Sequence, residues 1–138
     1  MSITKPMKLD MYINYKGKCR EAFQFYEKHL NGKIIMMSTF KEMPDSSNIP
    51  EERKNDILHA RIEIGDTVLM GADIPHAEPM RSAYLTLRVE SVDEAERIYK
   101  LFSEGGEIFM KMEQTFYASR FAMLRDKFGT NWMILCEE

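Results

Sequence analysis

The chain has 138 residues, of which 44% are hydrophobic and 30% charged, with a net charge of −3; this is the size of one ordinary domain and enough apolar material for a core. Basic and acidic residues are interspersed, which leaves no electrostatic footprint for DNA or RNA. There is no charged-then-apolar leader and no run of about 18 apolar residues, so we expect a soluble, cytoplasmic protein with no nucleic acid and no membrane among its partners.

In chain order, Met11, Ile13 and Tyr15 alternate with Asp10, Tyr12 and Asn14, the pattern of a half-buried strand. Cys19, Ala22, Phe23, Tyr26 and Leu30 then fall on one stripe at helical spacing, which predicts a helix over about 18–30 that stops at Asn31-Gly32. A strand follows over 32–40, and about 41–55 reads as a polar, irregular loop containing Pro44 and Pro50. Leu58, Ala60, Ile62 and Ile64 alternate with His59, Arg61 and Glu63, and Gly65-Asp66 turns the chain into a strand over 67–70, giving a hairpin. A second polar connection occupies 74–81. Leu85, Leu87 and Val89 alternate with Tyr84, Thr86 and Arg88. A second helix over about 92–104 opens with Ser91 and Glu94 in a capping-box arrangement, turns Val92, Ala95, Ile98, Tyr99 and Phe102 inward, and meets Gly105-Gly106. Strands over 107–116, 119–125 and 130–136 complete the chain, the last two flanking the turn 126–129.

The second half repeats the first. Glu21-Ala22, Tyr26, Gly32, Ile34 and Met36 return as Glu94-Ala95, Tyr99, Gly106, Ile108 and Met110, an offset of 73 residues through the helix and 74 beyond it. A period near half the chain length excludes a solenoid and indicates two modules derived from one unit. Each half reads strand, helix, three strands. We expect a single domain over 1–138, built of sub-modules over about 7–75 and 82–138, with a groove between them as the first place to seek a ligand. Cys19 and Cys136 match neither a disulfide framework nor a zinc-ligand spacing and read as reduced thiols.

The succession βαβββ-βαβββ resembles the vicinal oxygen chelate superfamily of glyoxalases, bleomycin-resistance proteins and extradiol dioxygenases. The chain is similar, more narrowly, to its PhnB-like branch through Tyr12-Ile13-Asn14-Tyr15 with Gly17, Glu21-Ala22 and Phe25-Tyr26; through Ile57-Leu58-His59-Ala60, Ile64-Gly65-Asp66, Leu69-Met70 and Asp73; and most specifically through 114–134. Tyr117 stands where the branch usually has Trp, and Ala122 where it usually has Gly, a methyl group that would reshape a pocket wall. The resemblance implies an α+β fold of tandem βαβββ modules with curved, mostly antiparallel sheets. It also implies a divalent ion held by His and Glu from the first and last strands of each module, at positions corresponding to about Asp10, Leu69, Tyr84 and Met133. Of these only Asp10 suits Mg²⁺, Mn²⁺ or Zn²⁺, and a one-residue shift in register finds no better set. We therefore expect no metal and no cofactor.

On the strand faces opposite the apolar alternation stand Tyr12, His59, Arg61, Tyr84 and Thr86, which we take with Arg120 as ligand-binding candidates. Imidazole can donate, accept or exchange a proton near neutral pH, and guanidinium offers a planar fork to carboxylate or phosphate. The same residues would also suit a water-facing sheet surface, His59 a tether to a neighbouring strand, and Arg61 or Arg120 an ordinary ion pair. The leading expectation is a metal-independent protein that binds an unknown small-molecule ligand, by analogy with the bleomycin-resistance type, and that forms a homodimer. The alternatives are an enzyme (a lyase, isomerase or dioxygenase with an atypical site, its catalytic residues unknown) and a structural or regulatory interaction module. Methyl transfer is disfavoured because no glycine-rich strand-to-helix nucleotide loop occurs.

Overall fold

The computed structural model describes residues 6–137; residues 1–5 and 138, the ends of the expected 1–138 domain, lie outside the described residues. The chain falls into two compact units that divide between Ile74 and Pro75. In the first, β1 (Met11–Tyr15), α1 (Cys19–His29), β2 (Lys33–Thr39), β3 (Ile57–Ile64) and β4 (Thr67–Asp73) form a four-stranded sheet in the order β1-β4-β3-β2. β1 runs parallel to β4, and the other two pairings are antiparallel. The second unit repeats this with β5 (Leu85–Arg88), α2 (Val92–Ser103), β6 (Glu107–Glu113), β7 (Arg120–Arg125) and β8 (Asn131–Cys136), in the order β5-β8-β7-β6. The α+β fold of tandem βαβββ modules expected from the sequence is the fold observed.

The parity of each strand decides which side chains meet a helix. In the first unit Cys19, Ala22, Phe23 and Tyr26 of α1 are fully buried against a sheet face carrying Ile13, Tyr15, Ala60, Ile62 and Leu69. Gly71 lies at the centre of that face, where a Cβ would stand 2.8 Å from Phe23 Cζ and 3.1 Å from Cys19 Sγ. The missing side chain therefore lets α1 approach the sheet. Lys18 gives α1 no side-chain cap. Instead the carboxylate of Asp73, buried at the end of β4, accepts the Cys19 N–H at 3.0 Å and the Ile57 N–H at 2.8 Å, tying together the first residue of α1, the first of β3 and the last of β4. This distant cap supplies acceptors that the local sequence lacks.

In the second unit Ala95, Ile98 and Phe102 of α2 are buried, with the Phe102 ring 5.1 Å from Trp132. Ser91 Oγ accepts the Glu94 N–H at 3.1 Å, as the capping pattern requires, and the Glu94 carboxylate is held by Arg97. Ala122, Leu124, Trp132 and Ile134 line the helix side of this sheet. The methyl of Ala122 thus enters the core under α2 instead of forming a pocket wall. Leu87 of β5, expected in the core, is only half-buried.

The polar segment 41–55 is more ordered than its composition implies. It folds as three short 3-10 turns, Phe40–Glu42, Ser46–Asn48 and Glu51–Arg53. Its ends are joined by Phe40 N–H to Asp56 O and Lys41 N–H to Lys54 O, and the Arg53 guanidinium lies 4.7 Å from the centre of the Phe40 ring.

Candidate functional site

Burial of one sheet face against α1 leaves the other face of the first unit open. Tyr12, Met70, Arg61 and Met36 occupy consecutive cross-strand positions there, in the pairings Tyr12 with Met70, Met70 with Arg61 and Arg61 with Met36. A bulge in β2 makes this row possible. Ile34 pairs with Ile62 and Met37 with Ala60 on the helix side, while Met36 and Ser38 pair with Arg61 and His59 on the open side. The extra residue, Ile35, is left 45% exposed.

Three of the six sequence candidates meet on this face. The rings of Tyr12 and His59 stack at 5.9 Å with an interplanar angle of 23°. Arg61 Nε donates to His59 Nε2 at 3.1 Å. In this pairing Nε2 is the acceptor nitrogen. Tyr12 is 49% exposed, His59 half-buried and Arg61 exposed. With Nε committed to His59, an incoming carboxylate or phosphate would meet the terminal amino groups of the guanidinium. The group is an aromatic platform beside a cationic fork, each member oriented by the next.

The corresponding face of the second unit differs in chemistry. Its row is Thr86, Met133, Met123 and Met110, again in consecutive register, and Thr86 Oγ1 donates to Met133 Sδ at 3.8 Å. The Tyr84 ring lies edge-on to Phe109 at 6.3 Å. Tyr84 immediately precedes β5 and Phe109 lies on β6, the two outer strands of this sheet. Arg125 lies beside this pair, its guanidinium 5.2 Å from the Phe109 ring centre, donating to Asn131 Oδ1 at 3.0 Å and to the Met80 carbonyl at 2.7 Å.

Arg120 stands apart from the other candidates. It is in phase with Ala122 and Leu124, so it emerges on the helix side of its sheet, where its Nε donates to Glu96 Oε1 of α2 at 3.0 Å and a terminal amino group donates to the Ser119 carbonyl at 2.7 Å. Arg125, in phase with Met123, is on the open face, as is Arg88, in phase with Thr86. Both the separation of Arg120 and the placement of Arg125 follow from the phase of β7, a signal present in the sequence and not used there.

Comparison with known proteins agrees with this architecture. A family model described as 3-demethylubiquinone-9 3-methyltransferase matches residues 7–135. The chain belongs to that family, within the PhnB-like branch of the vicinal oxygen chelate superfamily. Protein YjdN of Escherichia coli (strain K12) is 30% identical, over 93% of this chain and 94% of its own length. Among solved structures, protein PA1353 from Pseudomonas aeruginosa is 36% identical with a TM-score of 0.85, covering 96% of this chain and 98% of that one. A putative 3-demethylubiquinone-9 3-methyltransferase, PhnB protein, from Bacillus cereus is 21% identical with a TM-score of 0.81, over 94% and 99%. The fosfomycin resistance protein FosX from Listeria monocytogenes, complexed with Mn(II) and 1S,2S-dihydroxypropylphosphonic acid, shares the fold at 9% identity and a TM-score of 0.68, over 98% and 95%.

The superfamily's divalent ion does not fit the residues of this PhnB-like chain. Asp10 precedes β1 and is exposed; Leu69 is buried on the α1 side; Tyr84 packs on Phe109; Met133 receives the Thr86 hydroxyl. The open-face neighbour of Leu69 is Met70, again a thioether. Sulfur of this kind is a poor donor to hard divalent cations, and no three His, Cys, Asp or Glu side chains gather into a ligand cluster among the described residues.

Proposed function

We propose that this PhnB-like protein binds a small molecule combining a flat aromatic or unsaturated part with an anionic group, on the open face of its first unit and without a divalent metal. The observation that carries the reading is the Tyr12–His59 stack buttressed by Arg61. A stacked pair of rings offers a π surface, and the guanidinium beside it supplies charge-assisted donors. Met70 and Met36, in the same row, add polarizable contact that adapts to shape. All of these residues sit on strands held by the α1 packing, so the platform is preformed.

A proton-transfer enzyme using His59 as its base is less well supported, since the nitrogen that would take the proton is the one accepting from Arg61. Methyl transfer, suggested by the name of the matching family, lacks its usual nucleotide cradle: the β1–α1 connection is Lys16-Gly17-Lys18, with a lone glycine.

The test is saturation-transfer NMR against a panel of aryl carboxylates and aryl phosphates, run on protein treated with EDTA and on untreated protein. At least one compound should bind equally to both preparations and lose binding in Arg61→Gln and Tyr12→Leu. Binding that appears only after adding Mg²⁺, Mn²⁺ or Zn²⁺, or that is indifferent to both variants, would overturn the proposal.

A further inference from the structure

The thioethers that disqualify the second unit for a hard divalent ion have the opposite implication for a soft one. Met110, Met123 and Met133 are cross-strand neighbours on one face, in the pairings Met110 with Met123 and Met123 with Met133. Adjacent strands lie about 4.8 Å apart, and a methionine side chain has three rotatable bonds, so the outer two sulfurs can swing toward the central one. The row is accessible: Met110 is 47% exposed, and Met123 and Met133 are half-buried. The Thr86 hydroxyl already orients Met133 Sδ and occupies only one of its two lone pairs.

Charge around the row is compatible with a cation. Arg125, on the same strand as Met123, is turned toward Phe109, Asn131 and the Met80 carbonyl, and lies 3.8 Å from the Glu107 carboxylate. Arg88, on the same strand as Thr86, pairs with Glu137 at 3.5 Å. The first unit provides an internal contrast, because its equivalent row reads Met36, Arg61, Met70, Tyr12. There a guanidinium stands where the second unit has Met123, separating the two sulfurs and repelling a cation. Only the second unit keeps three thioethers in an unbroken row.

We propose that Met110, Met123 and Met133 form a three-thioether site for a soft monovalent cation, Cu(I). Thioether donors suit Cu(I) better than they suit hard divalent ions, and the three sulfurs belong to the second unit alone.

The test uses protein carrying ¹³C-methyl methionine, titrated with Ag(I) as an air-stable probe of the same class and then with Cu(I) under anaerobic competition with a chromogenic chelator. The methyl resonances of Met110, Met123 and Met133 should move together and saturate at one equivalent, while those of Met36 and Met70 stay in place. Met123→Leu and Met133→Leu conserve volume and should keep the fold. Each should weaken binding at least by the roughly tenfold that loss of even an outer-shell partner costs a metal site. Wild-type affinity in either folded variant would overturn the assignment, as would Ag(I) shifts confined to the surroundings of Cys19 and Cys136.

Discussion

Asp73 should be among the most sensitive positions in the first unit, although it touches no candidate ligand group. Its carboxylate is 1% exposed and accepts two backbone N–H groups, from Cys19 at 3.0 Å and Ile57 at 2.8 Å. A hydrogen bond to a charged partner contributes about 1.5–3 kcal/mol, and removing the acceptor leaves a buried donor unsatisfied. Asp73→Ala orphans both donors, so we expect a loss of about 3–6 kcal/mol. Asp73→Asn keeps one oxygen acceptor but turns an amide N–H toward the second donor, and should cost about 2–4 kcal/mol. Against a typical domain stability of about 5–15 kcal/mol this is a large fraction. At this chain length it corresponds to roughly 3–5 °C in Tm for each kcal/mol. Urea denaturation with an unchanged m-value measures it directly. If Asp73→Ala lies within about 1 kcal/mol of wild type, the distant cap contributes nothing, and the argument for how α1 is seated on the sheet fails.

Three further outcomes follow from the packing. Gly71→Ala, which would put a methyl 2.8 Å from the fully buried Phe23 ring, should destabilise by about 1–3 kcal/mol in the same assay, and a neutral result would show that α1 does not sit as closely as described. Burial first, and the Asp73 carboxylate second, push the Cys19 thiol far above the ordinary thiol range; iodoacetamide at mildly alkaline pH should leave it unmodified until the protein unfolds, and labelling at the rate of a free thiol would contradict this. We also propose a homodimer, because the outer strands β2 and β6 expose Ile35, Ile108 and Phe109, at 45%, 47% and 38%; light scattering showing only monomer across a broad concentration range would reject it.

The fold was legible because two signals agreed. Helical stripes ended at Asn31-Gly32 and Gly105-Gly106, and strands of period two recurred after each helix. The candidate site was legible only in part. Tyr12, His59 and Arg61 could be set on non-core strand faces because their strands alternate cleanly, and the structure adds the stack and the Arg61–His59 hydrogen bond that join them. Arg120 is set by the phase of its strand with Ala122 and Leu124 and pairs with Glu96, the ordinary ion pair that was the other reading of its guanidinium. The Met36 and Met110 positions were hidden by the irregular register of β2 and β6, since a bulge shifts every later side chain to the other face without leaving a mark in composition. Asp73 escaped notice as a cap because its partners are 54 and 16 residues away in sequence.

The most direct test of the central claim is a chemical-shift map of the ligand selected by the aryl carboxylate and aryl phosphate screen, recorded on EDTA-treated protein. Perturbations should centre on Tyr12, His59, Arg61 and Met70, with the His59 imidazole nitrogens responding as the ligand engages Arg61. A map that leaves these residues unmoved and centres on the helix side of either sheet would contradict the account.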